Sequence, residues 1–305
     1  MKPKKHEIIF ETIVGSQLYG TNVEESDIDY KGVCILDRER EYFSFTPRFE
    51  QFHSNEIDRE IYDFRKFLGM LAQNNPNIMD LVFSPEKYWV QTSPTWEMLI
   101  KHKDKFISQK CKHTFLGYAT SQLKRIKSHK KWLMEPLERQ PLREDFGIKN
   151  GQPIVREDLM KAVESIPIEY FREGLRKDFT REKQYQGALR EWNHYRAWKK
   201  NRNPKRAKME AEFGFDLKHS MHLIRLSRMG REILRDGKVN VDRRGIDADD
   251  LLDIRKGLWS YDKVVNESES IENEIKEMKS DLPEMVDKDF ASELCIEVIK
   301  THLSK

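Results

Sequence analysis

Cysteine is scarce: three residues in 305, Cys34, Cys111 and Cys295, too scattered for a disulfide framework or for the paired spacing of a zinc site. No run approaches the roughly 18 apolar residues of a membrane span. The basic opening Met1-Lys-Pro-Lys-Lys-His-Glu7 leads into a polar strand-like stretch, not into the apolar core of a signal peptide. These absences predict a cytoplasmic protein with no membrane partner. Net charge is nearly missing too, at +3, and with 35% charged and 38% hydrophobic residues the chain has material for one large or two ordinary domains of modest core.

The small net charge hides a strong asymmetry. Residues 101–134 hold ten Lys/Arg against one acid, Asp104, and residues 190–208 hold eight against Glu191 alone. Residues 262–293 reverse the sign, with eleven acids and four bases. Basic blocks inside a nearly neutral chain predict a polyanion surface, with RNA the expected partner.

The chemistry concentrates between Ile13 and Val33. An apolar strand ends at Gly15-Ser16, a polar connector follows, and Asp27-Ile28-Asp29 opens a second strand running through Gly32 to Leu36. Alternate side chains of a strand share a face, so Asp27 and Asp29 are expected side by side. Two such carboxylates repel unless a cation lies between them, which suits Mg²⁺, with Mn²⁺ as the alternative ion. Gly15 permits positive φ and close backbone approach, and free N–H groups at the turn attract anions. A phosphate cradle about a dozen residues before a metal-binding pair predicts chemistry on a nucleoside triphosphate.

Further along, residues 37–55 read as a loop or irregular excursion. Glu56 to Tyr62 alternates like a half-buried strand, placing Asp58 and Glu60 on one face; either qualifies as a third carboxylate. Phe64, Phe67, Leu68 and Leu71 have helical spacing, and Asn74-Asn75-Pro76-Asn77 ends that helix. Beyond Trp96 the pattern is helical almost throughout, with Pro136, Pro141, Gly147, Gly151 and Pro153 punctuating a flexible connection. In Trp192 to Pro204, aromatics interleave with cations. That composition suits phosphate contact with base stacking, and equally a helix whose tryptophans are core and whose lysines are solvated. In Phe215 to Gly230, apolar residues cover much of the helix circumference, yet Lys218, His222 and Arg225 stand one above another. Cations on a mostly buried helix need an anion: a triphosphate or RNA phosphate, or protein acids such as Asp216 and Glu210. His219 and His222 have no third zinc ligand nearby in sequence.

Gly15-Ser16-x-x-Tyr19-Gly20-Thr21 with Ser26-Asp27-x-Asp29-Tyr30-x-Gly32-Val33 resembles the DNA polymerase beta superfamily of nucleotidyltransferases. More closely, it resembles predicted nucleotidyltransferases of RNA repair and RNA ligase pathways, common in bacteria and phages. Tyr62–Leu68, Asn75-Pro76-Asn77, Gly214–Arg225 and Ile254–Tyr261 carry the same resemblance, with Leu258 departing where Glu is expected. The resemblance implies an α+β fold: a polymerase-beta-type catalytic domain, residues 1–110, with a mixed sheet flanked by helices, then a helical nucleotide- and acceptor-binding region, 111–305. It implies that Asp27, Asp29 and Asp58 hold two Mg²⁺ ions, and it favours Asp58 over Glu60. Gly15, Ser16 and Tyr19 would hold the triphosphate; Lys218, His222 and Arg225 would neutralise the leaving pyrophosphate. The implied reaction moves a nucleoside monophosphate from an NTP to an RNA 3′ end, tRNA included. Transfer to a protein hydroxyl, as in antitoxins that resemble this superfamily, and a non-catalytic RNA-binding module are the alternatives.

Overall fold

The apolar run before Gly15 forms strand β1, His6–Val14, in the computed structural model, which describes residues 6–24, 26–36, 42, 49–54, 58–149 and 173–304. Helix α1, Gly15–Tyr19, follows at once, and strand β2, Asp29–Leu36, returns antiparallel to β1 with Val14 opposite Asp29. Strand β3, Gln51–Ser54, pairs antiparallel with β4, Arg59–Asp63. β4 in turn lies parallel to β2, with Tyr30 opposite Arg59 and Lys31 opposite Glu60. With β5, Trp89–Gln91, the order is β3-β4-β2-β1-β5, a mixed sheet.

Helix α2, Phe64–Ala72, follows β4 directly because Asp63 caps it, accepting from the amides of Arg65 (3.1 Å) and Lys66 (3.3 Å). It buries Phe64, Phe67, Leu68 and Leu71, the four positions its spacing marks; full burial of such a side chain contributes about 1.5–3 kcal/mol. Helix α3, Pro76–Val82, is capped by Asn75, with Pro76 in its first turn. Helix α4, Pro94–Ile100, sets Trp96 flat against Phe10 of β1, ring centroids 4.0 Å apart. The remaining elements are helical: α5 (Cys111–Met134), α6 (Glu173–Asn201), α7 (Pro204–Phe213), α8 (Leu217–Asp236), α9 (Ala248–Arg255), α10 (Tyr261–Glu277) and α11 (Lys288–Leu303). The α+β class with a mostly helical C-terminal part is what is found.

Two local expectations need correction. Asp27 and Ile28 precede β2 instead of opening it, so Asp27 hangs on an irregular connector. Within 37–55, residues 51–54 form a strand, paired to β4. Glu56 and Ile57 of the expected strand, residues 37–41, 43–48 and 55 of the excursion, and Gly151 and Pro153 lie outside the described residues.

The chain divides into two compact units, residues 1–126 with 217–305, and residues 127–216. The first holds the sheet, α1 to α4, the first part of α5 and α8 to α11. In the second, Trp132 packs with Tyr195 and Trp198, at centroid distances of 5.8 and 5.5 Å, and Trp192 packs with Tyr195 at 5.8 Å. Glu210, almost fully buried there, receives Arg202 at 2.6 Å and His129 at 3.2 Å. Trp192 and Trp198 of the 192–204 segment are half-buried and packed ring against ring with Tyr195, while Arg196 and Lys200 stay exposed.

Candidate active site

Register sets Asp29 beside the Gly15–Ser16 turn. Asp29 is the first residue of β2 and faces Val14, so Gly15 begins α1 directly beside it. Gly15 has φ +69°, and a Cβ there would collide with the Asp29 carboxylate. No other residue combines that conformation with that approach.

The parallel pairing of β4 supplies a second carboxylate. The Tyr30 amide donates to the Asp58 carbonyl at 2.8 Å, one residue ahead of the Tyr30–Arg59 pair, so Asp58 stands beside Asp29. Burial pushes the Asp29 pKa above its ordinary value, its side-chain hydrogen bond with Asp58 and the Asp58 charge push further, and Asp27 adds to this. Lys218, exposed at the start of α8, pulls the other way and does not win. Asp27 and Asp58 are both exposed, and His53 of β3 approaches Asp58 at 3.9 Å. Asp29 and Asp58 are thus hydrogen-bonded carboxyl neighbours with the charge of Asp27 acting on Asp29, hard oxygen donors of the kind that suit a divalent cation.

Asp58 immediately precedes β4, whereas Glu60 lies two residues on, inside the strand, and its carboxylate is otherwise engaged. Lys31 approaches at 3.1 Å and the Tyr62 hydroxyl donates at 2.5 Å. Burial alone would raise its pKa, but these two partners outweigh it and hold the carboxyl below its ordinary value.

The other nucleotide-binding candidates separate. Ser16 lies in α1, its carbonyl accepting from the Thr21 amide at 2.9 Å. Tyr19 is buried, donating to Asp80 Oδ2 at 2.6 Å, and Arg225 stacks on its ring at 3.7 Å while its Nη1 reaches Asp80 at 3.4 Å. Only 4% of the Arg225 side chain is exposed, and the anion it meets is Asp80. His222, half-buried, meets the Tyr19 ring edge-on at 6.4 Å. Of the three stacked cations, Lys218 is the one whose charge acts on Asp29, and Arg225 is internal.

Asp80 escaped the sequence reading, although a lone acid inside the apolar run Ile78–Phe83 is a signal, since a buried carboxylate requires a partner. Arg255 was also missed. It reaches the connector before Asp27, donating to the Thr21 carbonyl and to Ser26 Oγ.

Comparison with known proteins bears on the same residues. Residues 1–137 match the model of RlaP, the RNA repair pathway DNA polymerase beta family. An "uncharacterized 38.9 kDa protein in nrdC-mobD intergenic region" of Enterobacteria phage T4 is 22% identical over 170 residues, which are 52% of this chain and 44% of that protein. The chain thus spans under half the length of this relative. No solved structure matches.

Proposed function

We propose, from the match of residues 1–137 to the RNA repair pathway DNA polymerase beta family, that this chain is a nucleotidyltransferase that moves a nucleoside monophosphate from an NTP to the 3′ hydroxyl of an RNA, with tRNA among the acceptors. The observation that carries the proposal is the hydrogen-bonded pair Asp29–Asp58, with the charge of Asp27 acting on Asp29 and Gly15 closed against Asp29.

Asp27, Asp29 and Asp58 are the residues that would hold Mg²⁺ or Mn²⁺, which supplies neutralisation of phosphate charge and acidification of the acceptor hydroxyl. Asp58, solvent-accessible at the edge of the cluster, is the group placed to take the hydroxyl proton. Gly15 and Ser16 orient the triphosphate tail against the start of α1, and Lys218 offsets its negative charge. His222 joins the triphosphate site; Tyr19 and Arg225 act by fixing α1 to α8 from within. Residues 1–110 perform the chemistry in this reading and 111–305 bind nucleotide and acceptor, in the cytoplasm. Exposed cations of the blocks 101–134 and 190–208 are the expected RNA contacts.

The test is incubation with each labelled NTP, Mg²⁺ and total RNA, alongside RNA-free lysate protein. Label on RNA that disappears with Asp29→Ala supports the reading. Label on protein alone transfers the acceptor to a protein hydroxyl. Absence of both, together with absence of metal–NTP binding, leaves an RNA-binding module.

A further inference from the structure

The connector that delivers Asp27 has no regular structure, yet its described residues are held at several points. The Ser26 amide donates to the Val23 carbonyl and the Val23 amide to Ser26 Oγ, both at 2.9 Å. The rest of the hold comes from more than two hundred residues downstream, in the same compact unit. Arg255, the last residue of α9, donates Nη1 to the Thr21 carbonyl and Nη2 to Ser26 Oγ at 3.2 Å. Nearby, the Arg243 amide donates to the Tyr19 carbonyl at 3.2 Å, and Arg244 Nη2 to the Gln17 carbonyl at 3.0 Å. Carbonyls at the end of a short helix lack intrahelical donors. Here the carbonyls of 17, 19 and 21 each receive one from residues 244, 243 and 255 in turn.

Arg255 differs from its neighbours in charge balance. Arg243 is paired with Glu232 and Asp247, and Arg228 with Asp247, Asp250 and Glu267. Arg255 is half-buried and forms no ion pair among the described residues; burial alone lowers its pKa. Withdrawing a cation from water without a counter-ion is unfavourable unless its hydrogen bonds are needed. Both of those bonds go to the connector.

We propose that Arg255 is a positioning residue for the carboxylates, its two-pronged grip on Thr21 and Ser26 setting Asp27 toward Asp29, the partner of Asp58. It rests on the metal-binding part of the proposed function and adds a residue outside the 137 that the family match covers. Lysine cannot replace the grip, because one ammonium does not reproduce the planar fork that reaches both acceptors.

The test is Mn²⁺ binding to the full chain, followed by the free-ion electron paramagnetic resonance signal, with melting temperature measured in parallel. Residues that orient metal ligands typically contribute 10–100-fold in affinity, so Arg255→Lys is expected to weaken Mn²⁺ binding about 10-fold. Ser26→Ala, which removes one acceptor, shifts it less in the same direction, and decides the matter alone should Arg255→Lys not fold. A purely structural role would lower the melting temperature and leave Mn²⁺ affinity within about twofold. That result, with Asp27→Asn still abolishing binding, overturns the proposal. Should Asp27→Asn bind Mn²⁺ as the native chain does, the metal reading falls and this inference falls with it.

Discussion

Replacing Asp58 by asparagine should make the metal-free protein more stable and the metal-loaded protein less so. Asp58 and Asp29 are hydrogen-bonded carboxyl neighbours, and their mutual repulsion contributes to the raised Asp29 pKa. Two unit charges about 4 Å apart repel by ~1 kcal/mol in water and by ~4 at an effective dielectric of 20. Asp58 has 65% of its side chain exposed, and Lys218 offsets part of the field, so the lower figure applies. The backbone bond from the Tyr30 amide to the Asp58 carbonyl survives the substitution. Relief of ~1 kcal/mol corresponds to a rise in melting temperature of roughly 2–4 °C for a domain of this size.

The pH dependence has a definite sign. Asp29 holds its proton more tightly folded than unfolded, so its contribution to stability falls as pH rises from the ordinary carboxylate range through its raised folded value. The Asp58→Asn substitution removes part of that shift and flattens the fall. With Mn²⁺ at ~100 times its dissociation constant the native protein gains about 2.7 kcal/mol. The variant gains less, so the ranking inverts. Calorimetry in EDTA and in Mn²⁺, from the ordinary carboxylate range up to neutral pH, reads all of this. An Asp58→Asn protein that is less stable in EDTA, or equally stabilised by Mn²⁺, refutes the reasoning.

Gly15→Ala forces a side chain into a left-handed conformation, at about 1–2 kcal/mol, and drives its Cβ into the Asp29 carboxylate. Nucleotide labelling and Mn²⁺ affinity should both fall, while Gly69→Ala, where a Cβ meets nothing, leaves them unchanged. Asp80→Ala strands a buried guanidinium and should cost about 3–5 kcal/mol in denaturant melts. By contrast, Lys218→Ala should leave stability within about 0.5 kcal/mol and raise the KM for NTP. Arg196→Glu with Lys200→Glu, both exposed, should weaken RNA binding and flatten its salt dependence without moving the melting temperature. Trp132→Ala should instead cost about 3–5 kcal/mol of stability, measured by chemical denaturation.

Local pattern carried much of this protein. The four apolar positions of α2, the caps of α2 and α3, and the Gly-Ser step into α1 are decided within a few residues of chain, by spacing, side-chain capping and φ. The same holds for Asp29 at the start of a strand. Asp27 and Asp29 read in sequence as two carboxylates of one strand face, whereas Asp27 is on the connector, with its charge still acting on Asp29.

Tertiary structure decided which acid stands beside Asp29 and which cation acts on it. Asp58 and Glu60 are equivalent by alternation; only the parallel register of β4 on β2 puts Asp58 beside Asp29 and hands Glu60 to Lys31. Lys218 and Arg225 share a helix stripe, but depth in the core separates them, assigning Arg225 to Asp80 across 145 residues of sequence. Arg255 reaches Thr21 across 234 residues. Spacing along one element constrains which side chains can share a face; pairing between distant elements selects the partner each of them meets.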